Sequence, residues 1–228
     1  MWFADEDIIS ASKFDRPSMQ RLFTLARRMA PIERREVECN VLRKYTLGNF
    51  FWEESTRTRL SSERAFKLLG GDVCTMTDMK FSSEVKGESL TDSAIVLSKF
   101  CDIMVVRCRH QGEARKIARY SRVPVINGGD GKGEHPTQGL LEVFTIDERT
   151  GGQIDNSSIT LVGDLRHSRS VHSLVKLLTF HDNLNFDCVA TPEFQIPSSL
   201  EALIHRRGHT YKKQPTSVLR CDVRMWST

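Results

Sequence analysis

Length, composition and charge already exclude several classes of protein. The chain has 228 residues, and its 33 Lys and Arg against 29 Asp and Glu leave a net charge of +4, too small for the concentrated basic surface of a nucleic-acid binder. The composition, 39% hydrophobic and 27% charged, is sufficient for a packed core. No apolar stretch reaches the roughly 20 residues of a membrane span. At about 150 residues per domain, the length predicts one and a half domains.

The N-terminus and the cysteines indicate a cytoplasmic protein. Residues 1–7 are acidic where a signal peptide is basic. The six cysteines are scattered and form no CxxC pair. This pattern predicts buried or inert thiols in a reducing compartment rather than a disulfide framework.

Short apolar runs alternate with helical patterns along the whole chain. The first part predicts, in chain order, a helix over 16–29, a strand over 49–52, a helix over 58–69, a strand over 73–77, a polar loop over 78–87, a helix over 88–100, a strand over 102–107, a helix over 111–120, a strand over 123–126, a glycine-rich loop over 128–135 and a helix over 136–149. The second part predicts a strand over 158–163, a helix over 168–179, a strand over 186–190, a helix over 198–207 and a strand over 219–226.

The alternation predicts an α/β protein with parallel sheets covered on both faces. Gly151 and Gly152 indicate a boundary between a domain over 1–150 and a second one over 151–228. The second is short for a doubly wound domain. We therefore expect two doubly wound parallel-sheet domains, the second incomplete.

The segment Glu54-Ser55-Thr56-Arg57-Thr58-Arg59 lies between a predicted strand and a predicted helix. A helix N-terminus offers free N–H groups and partial positive charge, to which hydroxyls and arginine add donors. This combination predicts an anion site that suits phosphate. The alternative is a Ser/Thr helix cap beside solvated arginines.

Three further segments carry candidate residues at predicted strand ends. Arg107 ends a buried strand, where ligands bind in open α/β sheets, although a surface arginine is an equal alternative. His135 and Gln138 follow the glycine-rich loop and could both donate to one carbonyl oxygen; a glycine turn with a capping histidine is the alternative. Arg169, at the next helix start, could hold a carboxylate, or simply follow a capped turn.

Other chemistry is poorly supported by the sequence. Lys86, in the polar loop, could present a point charge to an anion, but most exposed lysines have no such role. Cys101, Cys108 and His110 lack any usual zinc-ligand spacing, and the chain has no P-loop and no nucleophile elbow. The candidate residues converge on a cleft between the two units that suits an anionic substrate with a polarised carbonyl and a phosphate leaving group.

These segments resemble signatures of the aspartate and ornithine carbamoyltransferases. Phe50 to Arg59 resembles the family's carbamoyl-phosphate signature, and Gly129 to Gln138 its second signature. Gly163-Asp164-Leu165 with Arg169 and Val171 to Leu174 is similar to the aspartate branch, as is Val85 to Leu90. The likeness runs from about residue 8 to 222. Family chains continue well past residue 228, so a complete carbamoyl-phosphate domain and a truncated aspartate domain are expected.

The resemblance implies a role for each candidate residue. Ser55, Thr56, Arg57 and Thr58 would bind the phosphate of carbamoyl phosphate. Thr58, Arg107 and His135 would polarise the carbamoyl oxygen, and Gln138 would contact the carbamoyl nitrogen. Arg169 and Lys86 would bind L-aspartate, and Ser82 and Lys86 would reach in from a neighbouring subunit.

The implied reaction is carbamoyl transfer from carbamoyl phosphate to the amine of L-aspartate in pyrimidine biosynthesis. It needs no cofactor and no metal, and its catalytic residues would be Thr58, Arg107, His135 and Lys86. The implied assembly is a homotrimer with shared sites, alone or within a larger assembly. Two alternatives stay open: a truncated chain that only binds carbamoyl phosphate or assembles with full-length subunits, and a transferase for ornithine or another acceptor.

Overall fold

A computed structural model describes residues 6–77 and 89–215 of the chain. Strands and helices alternate throughout these two ranges, in the order α1 Arg16–Glu33, β1 Thr46–Phe51, α2 Arg57–Leu68, β2 Asp72–Thr77, α3 Leu90–Leu97, β3 Ile103–Cys108, α4 Glu113–Tyr120, β4 Val125–Asp130, α5 Pro136–Thr150, β5 Ser158–Val162, α6 Arg169–Leu178, β6 Asn185–Val189, α7 Ser198–Arg206 and β7 Thr210–Gln214.

The first sheet is parallel throughout and has the strand order β2-β1-β3-β4. Alternate side chains of its strands face opposite layers: Phe50 and Val106 pack with α3 and α4, whereas Phe51 and Val105 face α2. From β1 the chain passes to β2 at one edge of the sheet, and it then returns to form β3 on the opposite side of β1. The strand order therefore reverses between β1 and β3, which is where ligands bind in open α/β sheets.

The second sheet is parallel and has the order β5-β6-β7. Within the described part of the chain, each successive strand is added at the same edge of this sheet. The sheet therefore corresponds to half of a doubly wound sheet. The prediction of an α/β fold with parallel sheets and an incomplete second one is thus confirmed. The boundary between 1–150 and 151–228 stays a prediction, although α5 does end at Gly151 in a left-handed conformation (φ 61°).

Two strands differ from the sequence-based expectation. The third strand of the second sheet is β7, which the sequence analysis missed, and the strand predicted over 219–226 lies outside the described residues. β4 continues through Gly128 and Gly129 to Asp130, where a glycine-rich loop was expected. The extension has a physical cause: Asp130 pairs with Cys108 across a register shift, and its carboxylate accepts hydrogen bonds from backbone N–H groups at the start of α4.

Helices α1 and α5 share a hydrophobic core with the second sheet, whereas the strands of the first sheet belong to two other buried clusters. Met19 and Phe23 of α1 and Val143 of α5 belong to the same buried cluster as Phe186 of the second sheet. Helices α5 and α6 approach closely at Gly139, where an added Cβ would lie 2.8 Å from the Cβ of Ser173. A side chain at this position would push the helices apart, so the contact fixes their spacing.

Gly139→Ala should destabilise the fold by up to about 2 kcal/mol, because overpacking costs about 1–3 kcal/mol and alanine's helix propensity returns roughly 1 kcal/mol. Urea unfolding would measure the change. Thr145→Ala is the matched control, because Thr145 lies on the same helix with an exposed side chain. A Gly139→Ala variant more stable than the wild type would contradict the close contact.

Candidate functional site

The predicted site residues meet in one open cleft of about 1220 Å³. It lies at the C-terminal ends of β1, β3 and β4 and at the start of α6. Every predicted site residue within the described ranges lines it: Ser55, Thr56, Arg57, Thr58, Arg107, His135, Gln138 and Arg169. Ser82 and Lys86 lie outside the described residues.

The start of α2 forms one wall of the cleft. Thr56 occupies the N-cap position in a helical conformation, and its side chain makes no capping hydrogen bond. The side chain of Arg57 is exposed, and the amide of buried Asn49 in β1 anchors the helix by donating to the carbonyl of Arg59 (3.1 Å). The alternative of a Ser/Thr side-chain cap is therefore wrong at Thr56, and its hydroxyl is not used to satisfy the backbone N–H groups of the first turn.

His135 lies at the N-cap of α5, but its ring does not cap the helix. The Nε2 atom is 3.2 Å from the hydroxyl of Thr58, and Nδ1 is 3.1 Å from the hydroxyl of Thr137. The backbone N–H of His135 donates to the hydroxyl of Ser173 on α6 (2.9 Å). Burial, assisted by the positive charges of Arg107 and Arg169, lowers the pKa of His135 to about 4. The ring is thus neutral at pH 7 and can donate only one hydrogen bond.

Arg107 and Arg169 both bind one carboxylate, that of Glu53. Arg107 Nη2 lies 2.8 Å from Glu53 Oε1, while Arg169 contacts both carboxylate oxygens, at 2.6 and 2.9 Å. Gly129 (φ +130°) passes so close that an added Cβ would lie 3.1 Å from Arg169 Cζ and 3.3 Å from Arg107 Nη1. The interpretation of Arg107 as a surface arginine is wrong, because its side chain is 13% exposed.

Glu53 is the site residue whose role the sequence analysis missed. Burial by itself would raise the pKa of this carboxyl group, but the hydrogen bonds and charges of Arg169 and Arg107 outweigh that effect and hold the pKa below its usual value. Glu53 follows β1 in the chain, whereas Arg169 begins α6 in the second unit. The carboxylate therefore ties the carbamoyl side of the predicted site to its aspartate side. The sequence signals were its place at a strand end and its position within the Phe50 to Arg59 signature.

The turn before α6 is capped, as the alternative for that segment proposed: the Ser168 hydroxyl accepts from the N–H of Val171 (3.4 Å). This does not exclude a binding role for Arg169, whose guanidinium lines the cleft. Gln138 also lines the cleft, and its amide nitrogen donates to Glu142 Oε1 (2.9 Å).

Other kinds of site find little support. Within residues 6–77 and 89–215 there is no group of His, Cys, Asp and Glu that could hold a metal ion. The cysteines in those ranges are free thiols: Cys101, Cys108 and Cys188 are buried, Cys39 is partly exposed and Cys74 is exposed. No helix in this part of the chain is long and apolar enough to cross a bilayer.

Comparison with known proteins gives consistent matches. A family model described as the aspartate/ornithine carbamoyltransferase carbamoyl-P binding domain matches residues 6–148. The aspartate carbamoyltransferase catalytic subunit of Dichelobacter nodosus is 43% identical over 205 residues, which is 89% of this chain and 59% of that protein. The corresponding subunit of Saccharophagus degradans is 42% identical over 92% of this chain and 63% of its own length. The chain therefore spans about three-fifths of these relatives.

Solved structures agree with the sequence matches. The catalytic subunit of Methanocaldococcus jannaschii aspartate transcarbamoylase superposes with a TM-score of 0.84 at 39% identity, covering 92% of this chain and 68% of that one. Aspartate transcarbamoylase of Trypanosoma cruzi in complex with carbamoyl phosphate gives a TM-score of 0.86 at 32% identity, covering 92% of this chain and 66% of that one.

Glu53→Gln should lower the free energy of unfolding at pH 7 by about 1 kcal/mol, because the charge-assisted bonds are lost in a partly solvated position. The pKa of Glu53 is lowered in the folded state, so its contribution is present above the ordinary carboxyl pKa of about 4.3 and is lost as the pH falls below it. Urea unfolding at several pH values should show the two proteins converging in acid.

Glu36→Gln is the control for the Glu53 substitution. Glu36 also pairs with an arginine, Arg34, but on the surface, with its side chain 54% exposed. We expect no measurable effect of this substitution. An equal effect of both substitutions would mean that the Glu53 bridge is an ordinary surface ion pair.

Proposed function

We propose, given that this chain belongs to the aspartate/ornithine carbamoyltransferase family, that it binds carbamoyl phosphate and transfers the carbamoyl group to the amine of L-aspartate. The products are N-carbamoyl-L-aspartate and phosphate, and the reaction belongs to pyrimidine biosynthesis. The chain spans about three-fifths of the length of the Dichelobacter nodosus and Saccharophagus degradans subunits, so the activity of the whole enzyme is part of the proposal. It assigns residues 1–150 to carbamoyl-phosphate binding and residues 151–228 to aspartate binding.

One observation carries the proposal: the ring of His135 and the hydroxyl of Thr58 meet at 3.2 Å in the cleft that Arg107 also lines. Arg107 lies near the end of β3, His135 follows β4, and Thr58 lies in the first turn of α2. Hydroxyl, imidazole and guanidinium donors around one point are suited to a carbonyl oxygen that becomes negatively charged in the transition state.

The phosphate cradle, defined as Ser55, Thr56, Arg57 and Thr58, would hold the leaving group. Its support is the uncapped start of α2 together with the exposed guanidinium of Arg57. Backbone N–H groups, hydroxyls and a bidentate fork are the donors that phosphate prefers. The cradle would bind phosphate before and after the bond to carbon breaks, so it also stabilises the departing anion.

The carbamoyl carbon is attacked by the aspartate amine, and the bond to the phosphate oxygen breaks. His135, neutral because its pKa lies near 4, would donate one hydrogen bond to the developing oxyanion without itself giving up a proton. Arg107 would add positive charge; its buried Nε has no hydrogen-bond partner among the described residues. Gln138 would contact the carbamoyl nitrogen. Holding both substrates in reactive geometry supplies much of the rate.

Aspartate is proposed as the acceptor because the relatives carry that name and because Arg169 already binds a carboxylate, that of Glu53. The Trypanosoma cruzi structures include a complex with carbamoyl phosphate and aspartate and one with carbamoyl aspartate and phosphate.

Lys86, proposed as a further aspartate ligand and catalytic residue, lies outside the described residues. A cytoplasmic location also stays a prediction, supported by the free thiols.

Arg57→Ala should weaken the binding of carbamoyl phosphate by about ten- to a hundredfold, because the phosphate loses charge-assisted hydrogen bonds. Calorimetric titration would measure the affinity. Arg64→Ala is the matched control: Arg64 lies on the same helix, is exposed and pairs with Glu33 away from the cradle. Equal affinity of the Arg57 variant and the wild type for carbamoyl phosphate would contradict the assignment of the phosphate cradle.

The same proteins would be assayed for carbamoyl-aspartate, with ornithine as the alternative acceptor. We expect product with aspartate, none with ornithine, and a loss with Arg57→Ala that parallels the loss of binding. A folded chain that binds carbamoyl phosphate and forms no product with either acceptor would contradict the transfer and leave only the binding half of the proposal.

A homotrimer with shared sites is the proposed assembly. Helix α2 buries none of its residues, and β2, at the edge of its sheet, is largely exposed. Exposed apolar side chains also lie on α2 and in the segment between α1 and β1: Leu60 (49%), Val41 (69%) and Tyr45 (51%). An apolar edge beside a substrate cleft is typical of a subunit interface. A neighbour at this edge would allow Ser82 and Lys86, which follow β2 in the chain, to reach its cleft.

Leu60→Asp should shift the native mass from three times 26.0 kDa toward the monomer, because a buried charge without a partner weakens an interface. Light scattering coupled to gel filtration would measure the mass. Leu25→Asp is the control, since Leu25 is equally exposed (48%) but lies on α1. A monomeric wild type, or dissociation caused by Leu25→Asp alone, would contradict an interface at α2.

A further inference from the structure

We infer that Glu142 is a positioning residue that fixes Gln138 as a hydrogen-bond acceptor facing the cleft, so that the site selects an acyl phosphate bearing an N–H donor. The inference deepens the proposed function and rests on it. It assigns a role to Glu142 that neither the sequence motifs nor the mechanism above required.

The orientation of the Gln138 amide follows from the chemistry of its partner. The contact joins the amide nitrogen of Gln138 to Glu142 Oε1 at 2.9 Å. An ionised carboxylate can only accept hydrogen bonds, so the end of the amide that faces it must be the NH2 group. The carbonyl oxygen of Gln138 is then turned away from Glu142, and it has no hydrogen-bond partner among the residues that the structure describes.

The pair is held by the helix that carries it. Gln138 and Glu142 are four positions apart on α5, where side chains lie on the same face one turn apart. Both residues line the cleft, while Leu140 (8% exposed) and Val143 (0%) anchor the opposite face of the helix in the core. The packed face of the helix leaves Gln138 and Glu142 on the cleft side, where the hydrogen bond between them orients the Gln138 amide.

A fixed acceptor discriminates between two ligands of nearly the same shape. Carbamoyl phosphate carries an NH2 group where acetyl phosphate carries a methyl group. The NH2 can donate to Gln138, whereas the methyl would leave the oxygen desolvated and unpaired, and sites of this kind reject the analogue that lacks the donor. If the amide could turn over, it would present its own NH2 to the ligand instead and lose this preference.

The test compares both acyl phosphates on the wild type, Glu142→Gln and Glu148→Gln by calorimetric titration. The amide introduced by Glu142→Gln can pair with either end of the Gln138 amide and thus releases its orientation. Glu148→Gln removes the same charge from the same helix, but Glu148 is exposed and pairs with Arg27. The ratio of the two affinities is the readout, because a general change in the charge or shape of the site affects both ligands alike.

We expect the wild type to prefer carbamoyl phosphate by about tenfold or more, and Glu142→Gln to reduce that preference by about threefold or more. Glu148→Gln should keep the wild-type ratio. Glu142→Ala, which also frees the amide, should act like Glu142→Gln and provides a second variant should the first misfold.

Two results would overturn the inference alone: equal affinity of the wild type for both ligands, or an unchanged ratio in folded Glu142 variants. Failure of the wild type to bind carbamoyl phosphate would instead overturn the proposed function, and the inference with it. The outcomes are distinguishable because the first two require measurable binding of carbamoyl phosphate and the third is its absence.

Discussion

The carboxylate of Glu53 between Arg107 and Arg169 is the interaction on which the site depends. Two guanidinium groups in a partly buried cleft repel each other, and burial together with this repulsion lowers the pKa of Arg107. One carboxylate bound to both offsets the repulsion and holds the end of the first sheet against the start of α6. The net positive charge that remains would attract an anion, and it adds to the effect of burial, which is the main cause of the lowered pKa that keeps His135 neutral. The same group of charges therefore contributes to charge balance, to the proposed ligand attraction and, together with burial, to the protonation state of the histidine.

The carbamoyl side of the cleft is not built by the first sheet alone. The backbone of His135 is held by Ser173, and the helix that His135 begins packs against α6 at Gly139. Residues of α1 and α5 complete the core of the second sheet. The stability of residues 152–215 therefore affects the position of His135 directly, and the two halves of the cleft are coupled through packing as well as through charge.

Local patterns in the sequence predicted much of this structure, and contacts distant in the chain account for the rest. The strand-to-helix turn at Ser55 to Thr58 and the helix after Pro136 could be predicted because their signals are local. The family motifs identified the side chains that line the cleft. The role of Glu53 was missed because its partners lie 54 and 116 positions away. The segment Tyr211-Lys212-Lys213 has no apolar alternation, and it is a strand because β6 pairs with it.

The polar composition of β7 has a consequence for the solution behaviour of the protein. Among the described residues β7 is the outer strand of its sheet, and an unpaired strand edge can recruit strands of other molecules. Lys212 and Lys213 are adjacent, so their side chains project from opposite faces of the strand, and the Lys213 ammonium also pairs with Glu201 (3.0 Å). A second copy approaching this edge would bring like charges together on both faces. The same residues that concealed the strand from pattern analysis therefore oppose edge-to-edge aggregation.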